Sequence, residues 1–168
     1  MRQLVILLLT FILSCFSATC QNLKFKPSFG VTLDTSYGSE LFKPCSRSVP
    51  DSVSGFWNIT FKEIESLEES FKTIKTITAK DCCFTEAKVD SLETFAFQYL
   101  GVTINGKRFI YLNAFPMADI KHLRKRDYDP AKYPVVVCDG GDYYWGALFD
   151  IETKQFSHLA FNVGTYRG

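Results

Sequence analysis

Nine consecutive residues, Cys138-Asp139-Gly140-Gly141-Asp142-Tyr143-Tyr144-Trp145-Gly146, hold the densest set of groups able to do chemistry. Two carboxylates flank two glycines, so acidic oxygens and backbone N–H groups can converge on a loop tip. Hard cations take such oxygens. However, the calcium loop of helix–loop–helix proteins needs Asp-x-Asp-x-Asp-Gly and a distant Glu, and this segment has neither. Asp-Gly-Gly-Asp between two apolar runs reads first as a hairpin turn, and no metal is expected. The aromatic trio points further. On a strand, Tyr143 and Trp145 take one face and Tyr144 the other. A face left uncovered would present large rings beside acidic groups, which suits a protein or a sugar.

Catalysis has less support. His122 and His158 are the only histidines, and neither lies in a triad motif. His158 shares parity with Phe156 and Ala160 and reads as a satisfied sheet residue. Asp139, Asp142 and Asp150 offer carboxylates for glycoside cleavage, but turns are where Asp ordinarily occurs. Gly140-Gly141 lacks the following Lys-Ser/Thr and helix of a phosphate loop, and no cofactor is expected. A small hydrolase would use Asp139 or Asp142 with His122 or His158. Lys121, Arg124 and Arg126 lie in a long basic connection, residues 116–133, a further candidate for ligand contact. Without interleaved aromatics, and with Asp127 and Asp129 adjoining, it does not read as a nucleic-acid surface. Lys125-Arg126 is a dibasic pair, and Asn58-Ile59-Thr60 a glycosylation sequon relevant in a eukaryotic host.

The 168-residue chain is long enough for one cored domain, with 46% hydrophobic residues and 16 Phe. Its net charge of +1 gives no general pull toward nucleic acid. Residues 1–20 read as a signal peptide: Arg2, an apolar run from Leu4 to Leu13, then small residues. Ala18-Thr19-Cys20 suits cleavage before Gln21. Ile12-Leu13-Ser14-Cys15 resembles a lipobox and would leave a lipid anchor on Cys15. No later stretch reaches transmembrane length. Cys45, Cys82, Cys83 and Cys138 remain after cleavage, an even number that in an exported chain implies bridges. A ring between the vicinal Cys82 and Cys83 would be strained, so Cys45 and Cys138 are expected to bond into that corner.

These groups need a scaffold. Residues 21–55 form an irregular segment in which Phe25, Phe29, Val31 and Leu33 suggest an edge strand. The α+β domain spans 56–168. Thr60 and Glu63 make a capping box, followed by Phe61, Ile64, Leu67, Phe71 and Ile74 at helical spacing. One long amphipathic helix of roughly four to five turns is expected, packed on an antiparallel sheet of four to five strands. Asn105-Gly106 marks a type I′ hairpin, pairing Ile104 with Lys107, Val102 with Phe109 and Leu100 with Tyr111. A change of apolar parity beside Gly101 implies either a bulge or a strand covered on both faces. Strands are also expected at 134–138, 143–149 and 154–161, and a helical turn at 118–125.

This order of elements resembles the cystatin-like and nuclear-transport-factor-2-like folds over residues 56–162. The Gln-x-Val-x-Gly hairpin of cystatin-type inhibitors is absent, because the tip reads Ile104-Asn105-Gly106-Lys107. The run YLGVTINGKRFIYLNAF, then CDGG-DYYWG, then FN, resembles small exported bacterial proteins of uncharacterised function. The chain therefore reads as an exported, non-enzymatic binding module for a protein or glycan, with a small hydrolase or a lipid-anchored envelope protein as rivals.

Overall fold

A computed structural model describes residues 24–43, 47–80 and 86–163. Six strands make one mixed, mostly antiparallel sheet: β1 (Gly30–Thr32), β2 (Val53–Trp57), β3 (Phe95–Ile104), β4 (Lys107–Pro116), β5 (Trp145–Asp150) and β6 (Gln155–Phe161). The order is β1-β3-β4-β5-β6, and β2 shares the β1 edge of β3. β1 runs parallel to the first half of β3, setting Gly30 against Phe97. β2 runs antiparallel to the second half, setting Trp57 against Gly101. Two short strands thus cover an edge that one strand was expected to occupy, and six replace the expected four to five.

The β3–β4 hairpin has the register read from Asn105-Gly106, with Leu100 opposite Tyr111 and Val102 opposite Phe109. Asn105 and Gly106 hold φ of 50° and 77°, as a type I′ turn requires. Pairing is continuous through Gly101, so there is no bulge there. The parity change reflects burial of β3 on both faces. Gly101 serves another need: a Cβ at this position would lie 2.2 Å from the Trp57 carbonyl oxygen. Only glycine lets β2 approach this closely.

On one face, Phe97, Tyr99, Ile110, Leu112 and Phe149 pack under Leu67, Phe71 and Ile74. Phe71 is fully buried, its ring 4.7 Å from Phe97 and 5.2 Å from Phe25. Burial of such a side chain is worth about 1.5–3 kcal/mol. The capping box forms: Glu63 N donates to Thr60 Oγ1, and Thr60 N donates to Glu63 Oε2 at 2.8 Å. The helix is shorter than its pattern implied. With α1 at Gly38–Leu41, this α2 spans Phe61–Ser70 and tightens to a 3₁₀ turn over Phe71–Thr76. The Thr73 and Thr76 hydroxyls each donate to the carbonyl three residues back, at 2.7 Å, competing with the α-helical pattern. Phe61, first of the apolar stripe, is 78% exposed.

On the other face, Leu33, Leu41 and Phe42 cover Leu100, Val102, Tyr111 and Leu148. Farther along, α3 (Asp119–Arg124) sets Ile120 and Leu123 against Phe115, fulfilling the helical turn expected at 118–125. Between these patches, the strand expected at 134–138 does not form. Residues 134–137 are irregular backbone lying on the sheet. Side-chain amides rather than a ladder partner take their polar groups: Val135 N donates to Gln98 Oε1, and Asn113 Nδ2 donates to Val135 O, both at 2.8 Å. Asn162 Nδ2 continues the row, donating to Val137 O at 2.7 Å and Asp139 O at 3.0 Å.

Candidate functional site

The row of amides delivers the chain to Gly140 and Gly141, both with positive φ (105° and 61°). A Cβ on Gly140 would fall 2.4 Å from the Tyr144 ring, so glycine permits that ring to fold over the turn. Gly141–Tyr143 is a 3₁₀ turn, not a hairpin between two strands. β5 begins only at Trp145.

The three aromatics have three different fates. Tyr144 is partly buried, and its hydroxyl donates to the Asp119 carboxylate, tying the turn to α3. Burial first, and the Asp119 hydrogen bond second, push its phenol above the ordinary tyrosine range. Trp145 is a core residue with no exposed surface, its ring centroid 5.5 Å from that of Phe95 and 5.7 Å from that of Phe97. It cannot serve as an exposed contact. Its Nε1 is buried and has no hydrogen-bond partner among the described residues. Tyr143 is 66% exposed and has the accessible ring that the sequence pattern looked for.

Tyr143 edges a cleft of about 370 Å³. Asp142 stands beside it, Trp145 is a buried part of the wall, and Lys88, Asp90, Ser91 and Thr94 line the cleft as well. These last four were not singled out from sequence. The first three fall in residues 78–93, which have no periodicity, Thr94 directly precedes β3, and only their proximity in the fold joins them to Tyr143. Carboxylates, hydroxyls and one ammonium thus share a small concavity with a free aromatic ring.

The other candidate residues lie elsewhere. Asp139 is exposed outside this cleft, so the two carboxylates of Asp-Gly-Gly-Asp do not both line it. Lys121 and Arg124 project from α3 beside a shallow hollow with Met117 and Ile120, and Arg126 is exposed just past the helix. Arg124 Nε lies 3.8 Å from the Asp129 carboxylate. Neither histidine hydrogen-bonds to Asp139 or Asp142. His158 is not the satisfied sheet residue that its parity suggested. Gly146 pairs with Ala160 and Leu148 with Ser157, leaving 158 and 159 opposite a single residue. This bulge buries Leu159 and turns His158 outward.

Cys138 is disulfide-bonded; Cys45, Cys82 and Cys83, like residues 1–20 with Cys15, lie outside the described residues. Among the described residues, no group of three or more His, Cys, Asp or Glu could hold a metal ion. No described helix is long and apolar enough to cross a membrane. No family model, curated protein or solved structure matches this chain.

Proposed function

We propose that this protein is an exported, non-enzymatic binding module that recognises a glycan through the Tyr143 cleft. One observation carries the reading: the two-thirds-exposed ring of Tyr143 stands beside Asp142 on a cleft that joins hydroxyl and charged groups to apolar wall residues such as Val89, Phe95, Pro116 and Phe161. A sugar offers one face of C–H groups and a rim of hydroxyls. The phenol ring suits the first, while Asp90, Asp142, Ser91 and Thr94 suit the second. Export is read from Arg2, the apolar run Leu4–Leu13 and the small residues that follow. The hydrolase reading that pairs His122 or His158 with Asp139 or Asp142 needs those groups within reach, and no such hydrogen bond exists among the described residues.

The test is a glycan array probed with the full secreted protein and its Tyr143→Ala variant. The parent should bind a defined subset of glycans, and the variant, equally folded, should lose that subset. Retention of the same binding by Tyr143→Ala would refute the assignment.

A further inference from the structure

We propose that the hollow beside His158 is a second ligand site, built for a small organic anion with an apolar tail. The cavity holds about 580 Å³ and lies where β6 meets the chain after the 3₁₀ turn. It shares no lining residue with the Tyr143 cleft. Ile77, Phe156 and Leu159 supply apolar surface, while Lys80, Thr78 and Ser157 bring donors. No carboxylate is among the described residues that line it. Asp51 lines an adjoining hollow, which shares Pro50, Ser157 and His158 with this one. Lys80 makes no ion pair among the described residues. An ammonium and several hydroxyls over an apolar floor match a negative headgroup with a hydrocarbon body.

The backbone at His158 points the same way. Its φ is 50°, in the left-handed region where glycine would sit without strain. The bulge places an imidazole on the cavity wall instead. His158 Nδ1 lies 3.4 Å from Ser157 Oγ, at the long end of hydrogen bonding, and Nε2 has no partner among the described residues. A strained position that carries a side chain into a cavity is where a ligand contact is to be sought.

The probe is octanoate, titrated calorimetrically into the full secreted protein, with octylammonium and acetate as controls. Octanoate should bind and shift the His158 imidazole resonances, octylammonium should not bind, and acetate should bind far more weakly. Lys80→Gln and His158→Gly should each lower octanoate affinity about tenfold. His158→Gly should melt no lower than the parent, since glycine fits the backbone. Tyr143→Ala should bind octanoate normally, which separates this site from the glycan cleft. Absence of octanoate binding, equal binding of octylammonium, or full affinity in both Lys80→Gln and His158→Gly would overturn the proposal.

Discussion

Gln98 and Asn113 face each other across β3 and β4, and Asn113 Nδ2 donates to Gln98 Oε1 at 3.0 Å. Both side chains are almost wholly buried. Gln98 Nε2 also donates to the carbonyls of Pro130 and Tyr133, at 2.8 and 2.7 Å. This pair serves as the docking strip for residues 130–135. The long connection is therefore fastened to the sheet at its second half, and most of its exposed basic groups, Lys121, Arg124, Lys125 and Arg126, lie at its α3 end.

Replacement of Gln98 by Leu should be costly. It leaves two carbonyls and the Val135 N–H without their partners in a buried setting, at about 1–3 kcal/mol per group. A loss of roughly 3–5 kcal/mol is expected from urea unfolding. A loss below about 1 kcal/mol would show that water replaces those bonds freely.

Alkaline pH should loosen the fold. Tyr99, Tyr128 and Tyr144 all have phenols raised above their ordinary value, in each case chiefly by burial. The Glu68 charge adds to the effect at Tyr99, and the Asp119 hydrogen bond at Tyr144. Unfolded phenols ionise near pH 10, so above that the unfolded chain releases protons first. Stability is fully present below about pH 10 and falls as pH rises through the folded values. Tyr144→Phe should cost about 1 kcal/mol at neutral pH, through the lost bond to Asp119, and should make the alkaline decline shallower. Unfolding midpoints across pH 8 to 11 check both (roughly the range spanning the unfolded phenol pKa), and an unchanged slope in the variant would contradict the assignment.

The sites read from local signals were legible because their causes are local. Asn105-Gly106 dictates positive φ at two adjacent residues, so the turn and every pair above it follow. Thr60 and Glu63 satisfy one another's N–H groups whatever packs on the helix. The residues that misled are those whose fate depends on distant partners. Pro134 to Cys138 has the composition of a strand, yet Gln98, 37 residues away from Val135 in sequence, takes its N–H through a side chain. Trp145 and Tyr143 differ in exposure because the strand starts only at Trp145, after a 3₁₀ turn that alternation cannot anticipate. The parity of His158 failed for a similar reason, since a bulge inserts one residue and turns it outward. Asp90 and Thr94 carried no motif at all; the fold alone brings them to Tyr143.

Export should leave its mark on the thiols. We infer that all four cysteines of the mature chain are oxidised, with Cys45 and Cys138 each bridged into the Cys82-Cys83 corner. Non-reducing peptide mapping of protein from its native host should find no free thiol and an N-terminus at Gln21. Free thiols at these positions would refute the pairing, and a lipid on Cys15 would move the protein to a membrane surface.

The most direct test of the binding account is the affinity of Tyr143→Ala for a glycan captured by the parent protein, measured by titration calorimetry. The ring is mostly exposed, so its removal should leave the unfolding midpoint unchanged while weakening binding at least about tenfold, as for an interface anchor. Equal affinity in a folded variant would contradict the account.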